Sequence, residues 1–101
     1  MEGYAEVLAA DRRLVILRLL VEAGGESGES ALEKGLHMLG HRTAVDRDQV
    51  RKDLRELEAR GCVEIEFYDA KVMIGAITRR GVSVAEGKVV VAGVAKPTLG
   101  R

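Results

Sequence analysis

The sequence predicts an α+β fold: a winged helix-turn-helix of three helices, with a two-stranded wing and a short C-terminal helix and arm. Three observations carry that expectation. Residues 45–60 have the caps and apolar spacing of a helix that Gly61 closes. Cys62 to Phe67 then alternates apolar and acidic residues, the period of a strand with one covered face. A second apolar run, Val72 to Ile77, returns after a short polar break. A helix, a tight stop and a hairpin in that order let the helix enter a DNA groove while the hairpin touches the backbone beside it.

The first helix is expected from about Tyr4 to Ala23, where Gly24-Gly25 stops it. Its apolar residues include Val7, Leu8, Leu14, Val15, Leu17, Leu20 and Val21, and between Leu14 and Val21 they cover most of the circumference. A helix apolar nearly all round is buried on more than one side. The sequence therefore predicts a homodimer with Leu14, Leu17, Leu20 and Val21 in the interface. Residues 26–29 read as a polar loop. Ser30 with Glu33 reads as a capping box for a second helix, which runs to about Gly40 and buries Leu32, Leu36 and Leu39.

The third helix has the clearest start. Asp46 is the N-cap, Gln49 holds the third helical position, and Val45 can staple onto Val50. Val50, Leu54 and Leu57 form its buried stripe. Arg47, Arg51 and Arg55, at i, i+4 and i+8, are expected on one exposed face. In the strand that follows, Val63, Ile65 and Phe67 point one way and Glu64 and Glu66 the other. Tyr68 to Lys71 makes the hairpin turn, although Asp69-Ala70 is a weak two-residue turn sequence. Thr78 caps a short helix ending near Gly87. Lys88 to Val94 is so apolar that an arm reaching a second subunit through Val89 and Val91 is expected. Residues 1–95 thus form one domain, and residues 96–101 a loose tail.

Composition narrows the function. The chain of 101 residues has net charge zero and three aromatic residues, Tyr4, Phe67 and Tyr68. Stacking on single-stranded nucleic acid needs more exposed rings than these. Charge is distributed unevenly: residues 1–70 carry 10 Lys/Arg against 15 Asp/Glu, and residues 71–101 carry 6 against 1. Such asymmetry can mark a nucleic-acid surface, or only a solvated one. Cys62 is the single cysteine, which excludes an internal disulfide. Residues 1–13 lack the basic-then-apolar order of a signal peptide, and the apolar run broken at Arg18 is too short to span a bilayer. A cytoplasmic location and no membrane contact are expected.

No phosphate loop, nucleophile motif or paired catalytic carboxylates occur, so no enzymatic activity, catalytic residue or cofactor is expected. His37 and His41, at i, i+4, could with Cys62 hold a metal. The spacing fits a helix-surface residue, a turn residue and a buried thiol better, and no metal site is assigned.

Several segments together resemble a known family. They are Asp11-Arg12-Arg13-Leu14-Val15-Ile16-Leu17-Arg18-Leu19-Leu20, Leu39-Gly40-His41, and Asp48-Gln49-Val50-Arg51-Lys52-Asp53-Leu54. Towards the C-terminus come Thr78-Arg79-Arg80-Gly81, Val84-Ala85-Glu86-Gly87, Gly93-Val94 and Pro97. In this order the chain resembles the small winged-helix, ArsR-like proteins of Mu-like transposable phages and prophages. The resemblance implies a winged helix, a bacterial or prophage origin and a DNA-binding role.

The residues expected to meet double-stranded DNA are Arg47, Arg51, Lys52 and Arg55 of the third helix, Arg42 and Thr43 in the preceding turn, and Lys71, Arg79 and Arg80 flanking it. Against this, residues 46–60 hold five basic and five acidic side chains. A protein-interaction module without DNA binding, taking a host or phage protein as partner, is the second reading. The preferred function is transcriptional control in a phage or prophage.

Overall fold

Residues 3–41 and 45–97 are described by a computed structural model. It is an α+β fold of four helices and a three-stranded antiparallel sheet. The chain runs α1 (Tyr4–Glu22), β1 (Glu26–Gly28), α2 (Glu29–Met38), α3 (Arg47–Ala59), β2 (Val63–Tyr68), β3 (Val72–Ile77) and α4 (Arg79–Ala85). The sheet order is β1-β3-β2. No helix of the described residues is long and apolar enough to cross a membrane.

The sheet has three strands, not the expected two, because Glu26–Gly28 pairs with Ala76–Ile74 of β3. A three-residue strand with two polar residues has no alternation to betray it, and only its partner defines it. Helix α2 consequently begins one residue before Ser30. Gly28 is the N-cap and provides no side-chain cap, so the expected Ser30–Glu33 capping box is absent. Leu39 lies past the helix end and is exposed, not buried.

Helix α3 matches its sequence signals closely. Asp46 accepts the Gln49 N–H at 2.9 Å, and Val45 and Val50 are both buried. At the C-terminal end Gly61 has φ +76°, the Gly61 N–H reaches the Glu58 carbonyl at 2.9 Å, and the Cys62 N–H reaches that of Leu57 at 2.9 Å. This left-handed stop turns the chain directly into β2. Helix α3 can lie close on the sheet because Gly75 has no side chain. A Cβ there would stand 2.8 Å from a Leu54 methyl carbon.

The core is aliphatic, with Ile16, Leu17 and Leu20 of α1 against Leu32, Leu36, Leu54, Leu57 and Met73. Helix α1 packs on α2, α3, α4 and β3. Its apolar residues between Leu14 and Leu20 are therefore covered largely within one subunit. Leu14, Leu17 and Leu20 are core residues and unavailable to a partner, contrary to the interface expected of them; Val21 alone of that set is exposed.

The C-terminal segment corrects the expected inter-subunit arm in the same way. It folds back on its own α1, where the Ala95 N–H donates to the Ala10 carbonyl at 3.1 Å. Val91 and Val94 are buried and Val89 packs beside them. Arg13 donates to the Gly93 carbonyl at 3.0 Å, and Arg60 donates to that of Ala92. The expected tail is described only as far as Pro97, which packs beside Gly87.

Asp69 and Ala70 at the hairpin tip have φ 55° and 57°, and the Lys71 N–H closes the turn on the Tyr68 carbonyl at 3.0 Å. Two positive φ angles are those of a type I′ turn. Alanine pays a steric cost there that glycine avoids, partly offset by glycine's greater freedom when unfolded. Ala70→Gly is expected to raise stability by about 0.5–1 kcal/mol, read as a higher urea midpoint at unchanged slope. A lower midpoint would contradict the turn geometry.

Candidate nucleic-acid interface

Helix α3 and its two caps carry ten charged residues over 46–60, and the fold sorts them by direction. Val50, Asp53, Leu54 and Leu57 face inward. At 100° per residue the opposite side is Asp48, Lys52, Arg55 and Ala59, all exposed. Arg47, Arg51 and Glu58 flank this side towards the sheet, and Gln49, Glu56 and Arg60 flank it towards α1.

Most of the acids are withdrawn from the outer face. Asp46 is occupied as the cap. Asp53 is 0% exposed and held by two guanidinium groups of α1. Arg12 grips both carboxylate oxygens, with Nη2 3.2 Å from Oδ1, and Arg13 Nε is 3.1 Å from the same Oδ1. Glu56 pairs with Arg60 at 3.0 Å. Glu58 accepts the Ile65 N–H at 3.1 Å, covering a position on the open edge of β2. The charge balance read along the sequence thus overstates the acidity of the outer surface: among these five acids, Asp48 alone stands in its centre.

Arg51 is withdrawn as well, which corrects its expected place on the exposed face. Its Nε donates to Glu29 Oε1 at 2.6 Å, and its Nη2 donates to Glu29 Oε2 at 2.8 Å and to the Lys71 carbonyl at 2.8 Å. The guanidinium also lies 6.0 Å from the centre of the Phe67 ring. Glu29, 2% exposed, additionally accepts the Met73 N–H at 2.7 Å. The bonded Arg51 holds the Glu29 carboxyl below the usual carboxylate range; burial opposes this, and the Met73 N–H and Arg47 assist. Arg51 therefore ties α2, α3 and the hairpin together.

The remaining expected contacts divide clearly. Lys52 and Arg55 are exposed, and no ion pair among the described residues engages them. Arg47 is exposed and donates to the Ser30 hydroxyl at 2.8 Å. Lys71 is exposed at the hairpin, beside exposed Phe67 and Tyr68. Arg79 and Arg80 are exposed at the start of α4, with Arg80 Nε donating to the Arg60 carbonyl at 2.9 Å. Arg42 and Thr43 lie outside the described residues.

The candidate metal ligands have other positions. His37 Nε2 is 2.7 Å from the Val45 carbonyl, so that nitrogen carries the proton and donates. Cys62 is buried in the core, and burial pushes its thiol pKa up against the nearby charges of Arg80 and Arg60.

Two relatives share most of the chain. One is "Uncharacterized protein gp26" of Escherichia phage Mu, 40% identical over 92 residues, which span 91% of this chain and 93% of that protein. The other is an "Uncharacterized protein" of Haemophilus influenzae, 40% identical over 78 residues, spanning 77% of this chain and 74% of that one. No family model and no solved structure matches the chain. With identity sustained over nearly the whole length of both proteins, the chain belongs to the family of phage Mu gp26.

Proposed function

We propose that this protein is a winged-helix, ArsR-like DNA-binding protein, serving as a transcriptional regulator in a phage or prophage. Helix α3 is the reader and the β2–β3 hairpin is the wing. The observation that carries this reading is the sorting of charge on α3: Lys52 and Arg55 face solvent without ion-pair partners, while Asp53, Glu56 and Glu58 are turned aside or neutralised. Lys71 on the hairpin and Arg79 at the start of α4 are further exposed basic side chains available to phosphates. The phage relative supports the setting. In this reading the contacts are Arg47, Lys52, Arg55, Lys71, Arg79 and Arg80; Arg51 positions the reader and does not touch DNA.

The test is a double variant, Lys52→Ala with Arg55→Ala, titrated against random duplex by fluorescence anisotropy. Weaker binding is expected, with the salt dependence reduced by about one unit for each of the two side chains that meets a phosphate. Because both side chains are exposed and unpaired, thermal stability is expected to stay within about 0.5 kcal/mol of the wild type. Unchanged affinity would remove α3 as the reader.

The protein acts as a dimer in this reading, through a surface different from the buried leucines. Tyr4, Val7 and Leu8 of α1 are exposed, and Val7 lines a cavity of about 290 Å³ with Val90 of the C-terminal segment. Asp11 and Lys96 line the same cavity. An acid and a base beside an apolar centre complement themselves across a two-fold axis. Val7→Asp is expected to sediment as a monomer where the wild type is a dimer; a wild-type monomer would remove this dimer surface, while a dimer without duplex affinity at low salt would favour the second reading, a module for a different protein partner.

A further inference from the structure

We propose that Asp48 is a specificity-determining residue, selecting a cytosine in the DNA major groove; this rests on the DNA-binding reading above. Asp48 stands in the first turn of α3, the part of a reading helix that approaches base edges. It shares the outermost side of the helix with Lys52 and Arg55, one and two turns further on. It is exposed, and no ion pair among the described residues occupies it. Its neighbour Asp46 is committed to the cap, so Asp48 is the acid that a docked duplex meets.

A carboxylate facing a phosphate repels it, but one facing a base edge accepts a hydrogen bond from the cytosine amino group. The basic residues around Asp48 can hold the phosphates on either side. Arg55 is long enough to fork onto a guanine, so the preferred site combines a cytosine near the N-terminal end of α3 with a guanine further along. A role confined to the helix dipole is the structural alternative; there the carboxylate favours the first turn whatever the sequence bound.

Binding-site selection from a random duplex pool, followed by anisotropy on the selected duplex, separates these roles. The wild type is expected to prefer the selected cytosine over its replacement by roughly tenfold. Asp48→Ala is expected to bind both duplexes within twofold of each other, and to bind random duplex at least as tightly as the wild type. Asp48→Asn, isosteric and uncharged, is expected to shift the preference to adenine, which Asn recognises with two hydrogen bonds. Retention of the wild-type cytosine preference by Asp48→Ala would overturn the inference and leave DNA binding intact. Equal gains on every duplex, from a wild type without preference, would do the same. A wild type that binds no duplex at low salt would overturn the DNA reading and the inference with it.

Discussion

Asp53→Ala is expected to destabilise the fold by about 3–5 kcal/mol, the cost of removing one partner of a buried ion pair. The carboxylate is fully buried, and the Arg12 and Arg13 side chains that hold it are 12% and 17% exposed. Removing it leaves two adjacent guanidinium groups with little water and no acid between them. It also unties α1 from α3 and loosens Arg13, which anchors the C-terminal segment through the Gly93 carbonyl. Set against a typical domain stability of about 5–15 kcal/mol, this loss is large enough to partly unfold the protein at 37 °C. Urea denaturation reads it as a lower midpoint. A loss below about 1 kcal/mol would mean that the cluster behaves as a surface pair.

Arg51→Ala is the second large effect, because it leaves the buried Glu29 carboxylate without its cation, and it carries a pH signature. In the wild type the Glu29 carboxyl is held below its ordinary value by Arg51. A depressed carboxylate contributes stability that is fully present above the unfolded-state value, about 4.3 for Glu. That contribution disappears as pH falls through the folded-state value. The wild type is therefore expected to lose stability on acidification below about pH 4.3. In Arg51→Ala a buried carboxylate has lost its cation, so protonation relieves the fold and the gap between the two proteins closes in acid. Urea midpoints measured for both at neutral pH and near pH 3.5 check this. A gap independent of pH would contradict the assigned pairing. The variant also bears on function: if Arg51 positions the hairpin and does not contact DNA, the folded fraction of Arg51→Ala retains the wild-type salt dependence.

How much could be read in advance follows from which interactions are local. The caps of α3 and α4 and the Gly61 stop are written within a few residues, and the structure reproduces them. The alternation of β2 holds from Val63 to Glu66 and ends at Phe67, which is exposed near the hairpin tip, not on the covered face expected of it. The weak Asp69-Ala70 turn forms as expected because the strands on either side fix its register. What escaped was non-local. Strand β1 exists through its partner β3, and the apolar circumference of α1 mimics a subunit interface because part of its covering, α4 and residues 88–97, is remote in sequence.

The candidate site divides in the same manner. The helical spacing of Arg47 and Arg55 put them correctly on the outside, but Arg51, which stands between them in that spacing, is claimed by a buried acid 22 residues earlier. One signal was available. Glu29 is in helical register with Leu32 and Leu36, and Asp53 with Val50 and Leu57, so each acid stands on an apolar stripe. A buried acid requires a cation, which announces that some arginines are structural. Their identity required the fold. Once those arginines and acids are paired, the neutral sum over α3 no longer describes its surface, and the outer face is left to Asp48, Lys52 and Arg55.

The central claim, that this outer face binds duplex DNA, is tested most directly by anisotropy titration of the wild-type protein with random duplex across a salt series. The account predicts measurable binding near 50 mM salt that weakens steeply towards about 200 mM, with a logarithmic slope of several units from released counterions. No binding at the lowest salt, or an affinity that salt does not change, would contradict it.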